Sequence, residues 1–389
     1  MTNSVKIIKN REKYHSKKWN PDYIEKRFNI QSNQKIYPLF IADMDFAHSE
    51  SLTNKFHEII ARDDYGYFDI PDSFYESIIS WQKRIHQRLI KKEWIIPANG
   101  TIAAMHIVAE ALMKGDNFLV LTPVYGGFKD LSSQFGQRFT LALDADKNTY
   151  QLDLERFEEK IIEDSIQSLI FCNPHNPSGK VWSPEELSGI VEVCKKHQVK
   201  IISDEIHADL LRNDQEFTSM LAFHEVYDKI IVSTSANKTF NLSGLNTSYL
   251  LTTNPMYKKK IEAMFKKFHI NTNRVGMEFT RIVYESGENW YKKIKNKIDN
   301  NLKLLEEILK ESDLKTMQAQ SGYLVWLELN KIETVDSYVV NLAKDTGVLL
   351  ETGSRFIDDY QGYIRINLAC DTTLLKEAML KFKAHYDEL

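Results

Sequence analysis

Four residues of different chemistry each come directly after a short apolar run. Tyr125 comes after Phe118 to Leu121, Asn176 after Leu169 to Cys172, Asp204 after Val199 to Ile202, and Lys238 after Ile230 to Ser233. An aromatic ring, a neutral amide, a carboxylate and an amine are thereby each delivered by a candidate strand. The amine is the most informative. Lys238 sits among hydroxyl residues in the stretch Ser233 to Leu245, and a lysine amine becomes a useful nucleophile only when desolvation or a neighbouring positive charge lowers its pKa. Each residue alone has an ordinary reading: Lys238 as a solvated loop lysine, Asp204 as a helix N-cap, Tyr125 as core, Asn176 as a turn residue between prolines. Four such residues at four strand ends outweigh those separate readings.

The elements that must position them show a regular pattern from about residue 100, where apolar runs alternate with amphipathic helices, as in βα units and a mostly parallel sheet. Ser183, Pro184 and Glu186 supply an N-cap, a proline at the first helical position and a capping-box glutamate, and Leu187, Ile190, Val191 and Cys194 then share one face. In open α/β sheets ligands bind beyond the carboxyl ends of the strands, so the four residues face one edge. Pyridoxal phosphate asks for this set: an acid for the ring nitrogen, an aromatic face, a donor for the phenolic oxygen and a lysine for the aldehyde. Asn99, Gly100 and Thr101 open a helix whose free backbone N–H groups are a suitable phosphate seat.

Before these units, residues 1–45 read as an N-terminal arm, polar and rich in Lys and Asn, that packs on a smaller domain without forming a core. Ile36 to Phe46 predicts a strand ending at Asp43 and Asp45, and the spacing from Phe74 to Leu89 predicts a helix over 73–87. Residues 46–285 form the large domain and 286–389 a small C-terminal α+β domain, entered by a helix over 288–310. Strands are expected at Gly322 to Leu329, Gly347 to Leu350 and Gly362 to Ala369. In the last, Ile364, Ile366 and Leu368 alternate with Arg365, which therefore points away from the apolar face. It is either a solvent-facing arginine or a fork for an α-carboxylate.

Composition excludes several classes. The 389 residues are 43% hydrophobic and 27% charged, with a formal charge of −4, which gives no electrostatic footprint for nucleic acid. The chain contains no apolar run long enough for a membrane span and no signal-peptide core near Met1, so a cytoplasmic location is expected. Cys172, Cys194 and Cys370 lie far apart without metal-ligand spacing and read as core residues in a reducing compartment.

The residues 173–179 (Asn173, Pro174, His175, Asn176, Pro177, Ser178, Gly179), with 204–207, 235–238 and Arg365, resemble the fold type I pyridoxal phosphate enzymes of the aspartate aminotransferase superfamily. Within it, 41–46, Tyr65-Gly66-Tyr67 and 238–245 look like the MalY/PatB group of cystathionine β-lyases and C-S lyases. The resemblance implies an α/β fold with a large, mostly parallel sheet between helices. It implies that Asn176 bonds the phenolate oxygen, Asp204 pairs with the pyridinium, Tyr125 stacks on the ring and His207 assists. Gly100, Thr101, Ile102 and Ser235 would hold the phosphate, Arg365 with Asn176 and Asp43 the substrate, and Tyr67 of a partner subunit would reach the phosphate, making a homodimer. The sequence departs from the group at Asn237, where serine is usual, at Asn246, where many aminotransferases carry arginine, and at Thr101-Ile102. The implied activity is β-cleavage of S-substituted L-cysteines to a thiol, pyruvate and ammonia. An aminotransferase and a regulatory protein acting on a transcription factor are the alternatives.

Overall fold

The apolar runs assemble into a seven-stranded sheet in the computed structural model, which describes residues 5–30, 34–129, 131, 136–212 and 214–389. Its strands are β1 (Ile95–Ala98), β2 (Asn117–Thr122), β3 (Arg138–Ala142), β4 (Ile166–Cys172), β5 (Lys200–Asp204), β6 (Ile230–Thr234) and β7 (Ser248–Leu251). They lie in the order β1-β7-β6-β5-β4-β2-β3. The neighbours from β3 to β6 are parallel; β7 runs against both β6 and β1.

The four expected strands are thus the middle of the sheet together with β2, each within a few residues of its expected ends. Strands buried on both faces write continuous apolar runs. Leu119, Leu121, Leu169, Phe171 and Ile201 pack on one side, and Phe118, Val120, Ile170, Cys172 and Ile202 on the other, the two-residue alternation of a strand. Strands β1, β3 and β7 were not anticipated. β1 carries Pro97 at a sheet edge, where the missing N–H is tolerated, and β3 at the other edge is largely half-exposed, so neither is marked by a fully apolar run.

Helix Pro184–Lys196 starts with the expected capping box: the Ser183 hydroxyl accepts from Glu186 N–H, and the Glu186 carboxylate from Ser183 N–H. Helix Asp72–His86 and helix Glu288–Leu309 fall within a residue of expectation. Helix Thr101–Leu112 begins where the chain leaves β1, with Gly100 at its N-cap.

A second, four-stranded antiparallel sheet contains β8 (Lys315–Thr316), β9 (Leu324–Glu328), β10 (Glu351–Thr352) and β11 (Tyr363–Asn367), ordered β8-β9-β11-β10. Val348–Leu349 does not join it. That pair aligns in parallel with Tyr37–Pro38, the only two-residue ladder that the expected strand over Ile36–Phe46 makes among the described residues, apart from an isolated bridge from Phe46 to Ile7. The rest of that segment is held by single backbone bonds, such as the Asp45 N–H on the Ala369 carbonyl and the Asn367 N–H on the Leu39 carbonyl, and by side chains. Arg11 bonds both Asp43 and Asp45 and the Met44 carbonyl, and the Lys18 amine reaches Asp45 at 2.8 Å.

The N-terminal segment packs onto the body and shares its core. Helix Pro21–Phe28 buries Ile24 and Phe28 in the main core, and Arg11 and Lys18 are buried with Asp45. The cysteines are free and buried. Among the described residues no helix is long and apolar enough to cross a membrane, and none of their His, Cys, Asp and Glu side chains form a metal-holding cluster.

Candidate active site

The carboxyl ends of β2, β4, β5 and β6 open on a cavity of about 460 Å³, closed by the start of helix Thr101–Leu112 and by β11. Lys238, Asp204, Tyr125, Asn176, His207, Gly100, Thr101, Ile102 and Arg365 all line it. Ser235, Asp43 and Tyr67 do not. The Ser235 hydroxyl is buried behind the wall, accepting from the Asn237 N–H at 3.2 Å. The Asp43 carboxylate is taken by Arg11, and Tyr67 is fully exposed on another cavity with Tyr65.

Lys238 sits in the turn after β6, and its amine donates to the Ala42 carbonyl at 2.9 Å. Burial and the nearby Arg365 charge bring it down to about 8. Asp204 ends β5 with 5% of its surface exposed. One carboxylate oxygen accepts from the Ile206 N–H at 3.2 Å, an Asx turn with no helix behind it, and burial pushes the acid up to about 7. The same burial lowers His207 to about 3, so its imidazole is neutral. Burial likewise raises Tyr125 above the usual phenol, with the Arg365 charge opposing.

Arg365 differs from the solvent-facing reading. The face of β11 opposite Ile364 and Ile366 is roofed by 40–44: the Arg365 guanidinium donates to the Asn176 amide oxygen at 3.0 Å and to the Phe40 carbonyl at 3.4 Å, and Asn367 donates to the Ile41 and Asp43 carbonyls. Its Nε, buried, has no partner. Desolvation therefore acts on a guanidinium with donor capacity to spare, which suits an incoming carboxylate.

At the other end, Gly100 takes φ +75°, and the first helical N–H groups of Thr101, Ile102 and Ala103 precede any intrahelical acceptor. Asn99, Asn237, Ser243 and Asn246 stand around them. The Asn237 side-chain oxygen is buried without a partner.

Residues 42–382 match the family model for aminotransferase class I and II. The chain belongs to this family. It is 27% identical to the cystathionine beta-lyase PatB of Bacillus subtilis over 354 residues, 89% of this chain and 92% of that protein. It also superposes on a PLP-bound C-S lyase of Staphylococcus hominis complexed with L-cycloserine, with a TM-score of 0.91, 28% identity, and coverage of 99% and 98%. Cystalysin of Treponema denticola, crystallised with pyridoxal 5'-phosphate, shares the fold with a TM-score of 0.93 at 24% identity over the whole of both chains.

In a member of the aminotransferase family the donor set fits pyridoxal phosphate. Asp204 is a buried acid at about 7 that a cationic ring nitrogen would ionise, and the unpaired helix-start amides fit a phosphate. The wall also holds Lys17, Tyr23, Arg27, Glu351 and Arg355, which sequence reasoning missed. Arg27 pairs with Glu351 and lies over the Phe40 ring. Tyr23 and Arg27 share a helix face by their four-residue spacing, but that this face turns to the cavity is decided by packing.

Proposed function

We propose that this protein is a pyridoxal phosphate-dependent cysteine-S-conjugate β-lyase of the cystathionine β-lyase type, cleaving S-substituted L-cysteines to a thiol, pyruvate and ammonia. One observation carries the reading: Lys238, Asp204 and Arg365 share a single cavity in a chain 27% identical to a cystathionine beta-lyase over most of its length.

Pyridoxal phosphate, when bound, supplies an aldehyde for the substrate amine and a ring that withdraws electrons. Arg365, held by Asn176, receives the substrate α-carboxylate through its remaining donors. Lys238, at about 8, is neutral in about a tenth of molecules at pH 7, far more than an ordinary lysine, and takes the Cα proton on Nζ. Asp204 keeps a negative charge at the foot of the cavity once a cation faces it. The roof of 40–44 and helix Pro21–Phe28 exclude water beside Arg365. The β-sulfur leaves as thiol after gaining a proton, and the released aminoacrylate hydrolyses to pyruvate and ammonia.

The exposed Tyr67, with Tyr65 and Phe68 on the wall of a separate cavity, supports a homodimer in which Tyr67 reaches the partner's phosphate seat. Incubation of the purified protein with cystathionine and a series of S-alkyl cysteines tests the function. Pyruvate should appear with at least one of them, and its absence with all of them would overturn the proposal.

A further inference from the structure

Behind the cavity, the Asp209 carboxylate gathers donors from three directions. Trp81 Nε1 and His86 Nε2 reach Oδ1 at 3.2 and 2.7 Å, and the Thr239 hydroxyl reaches Oδ2 at 2.6 Å. The Asp209 carbonyl accepts from the Tyr291 hydroxyl at 2.6 Å. Neither Asp209 nor Thr239 lines the cavity. Thr239 is 1% exposed and comes next to Lys238 in the same turn, so the lysine faces the cavity while its neighbour is pinned from the opposite side.

We infer that Asp209 is a positioning residue for Lys238, holding the lysine turn through Thr239 and itself oriented by His86. The chemistry favours this arrangement. A carboxylate accepting several donors is fixed in angle as well as place. The His86 ring is set in turn by the edge of Phe217, 5.4 Å between centroids. The turn also has the Lys238 amine on the Ala42 carbonyl, backbone bonds from Phe240 to Ala236 and from Leu242 to Asn237, the Asn237 N–H on the Ser235 hydroxyl, and, further along, Asn241 bonded to the Met44 backbone and His48 at the Phe240 carbonyl. Those bonds tie the turn to itself and to the segment before helix Glu50–Ile60, and the Thr239 hydroxyl, beside the lysine, ties it through Asp209 to Trp81 and His86 of helix Asp72–His86. A displacement of about 1 Å in a reacting amine costs on the order of a hundredfold in rate.

This inference rests on Lys238 being the lysine that takes the cofactor aldehyde, the role its place among the four strand-end residues gives it, and is independent of which reaction is catalysed there. The test compares Thr239→Val, Thr239→Ser and Asp209→Asn holoproteins by pH titration of the cofactor's visible absorbance, with kcat, KM and the melting temperature measured alongside. Arg365, Asp43 and Asp204 face the Lys238 amine in every one of them. Thr239→Val and Asp209→Asn should move the titration midpoint by about half a pH unit or more and lower kcat about tenfold with KM within about twofold. Thr239→Ser should restore both. An unmoved midpoint and kcat in Thr239→Val, with only a lower melting temperature, would overturn the inference alone. A wild type that shows no visible cofactor band when supplied with pyridoxal phosphate would overturn the cofactor reading and this inference with it.

Discussion

The Arg365 guanidinium donates to the Asn176 amide oxygen at 3.0 Å, joining two residues 189 positions apart. One comes from the turn after β4 and the other from β11, so this bond ties the edge of the large sheet to the smaller sheet. A group seated on Arg365 is thereby placed against residues carried by the other sheet.

Replacing Arg365 with lysine keeps the charge and removes the fork. The Asn176 contact and a two-point grip on a carboxylate cannot then be made together. Steady-state kinetics should show kcat/KM falling by about 10- to 100-fold, mostly through KM, equivalent to about 1.4 to 2.8 kcal/mol. An unchanged KM would remove Arg365 from the substrate site.

Lys238→Ala removes the proposed proton acceptor. Pyruvate formation should fall by about 10²- to 10⁴-fold, while the melting temperature of the cofactor-free protein stays equal or rises, because a buried amine costs stability when charged. A variant retaining most of its turnover would show that another group takes the Cα proton.

Asp204 gives a pH signature in cofactor-free protein. Its folded value, about 7, lies above the ordinary 3.8, so between about pH 4 and pH 7 the native state binds more protons than the unfolded chain and stability falls as pH rises. Lys238, lowered from 10.5 to about 8, acts in the opposite sense at higher pH: the unfolded chain holds the extra proton, and stability rises between those values. His207, lowered to about 3, acts in the opposite sense over the same window in both proteins, so the signature is a difference: the urea midpoint of the wild type should fall relative to that of Asp204→Asn as pH rises from about 4 to about 7. Equal slopes in both proteins would contradict the buried-acid account.

Gly100→Ala isolates the phosphate seat. The added Cβ would meet only the Asn246 side-chain oxygen, at 3.7 Å, but φ +75° remains unfavourable for alanine. Unfolding should become easier by about 1 kcal/mol, and cofactor affinity, read by absorbance titration, should weaken. Wild-type affinity would mean that the helix start is not where the phosphate binds.

The proposed shared site predicts complementation. Mixed and reassembled, the Tyr67→Ala and Lys238→Ala proteins form hybrids in which one site has both Tyr67 and Lys238, and about a quarter of wild-type activity should return. No recovery in a mixture shown to contain hybrid dimers would place Tyr67 outside the partner's site.

Much of this fold was legible because the central strands are buried on both faces. Runs such as Leu169 to Cys172 mark strands, and the residues just past their carboxyl ends, Asn176 among them, are the ones at the sheet edge. β1 and β3 escaped because edge strands need not be apolar throughout, and Pro97 argues against a strand unless its edge position is known. Arg365 could be assigned to a face but not to burial, since its cover comes from 40–44, more than three hundred residues earlier. Lys17, Tyr23 and Arg27 were hidden for a similar reason: a polar segment becomes a cavity wall only through its docking, fixed here by Ile24 and Phe28 in the core and by the pairing of Arg27 with Glu351. Asp43 looked available for substrate because nothing local showed that Arg11 claims it.

The central claim, elimination at the Cβ–S bond, is tested most directly by measuring thiol and pyruvate together from an S-substituted L-cysteine with no 2-oxo acid present. The account predicts sustained turnover with thiol and pyruvate in equal amounts. Turnover that requires an added 2-oxo acid and returns its amino acid, with the Cβ–S bond intact, would contradict it and identify an aminotransferase.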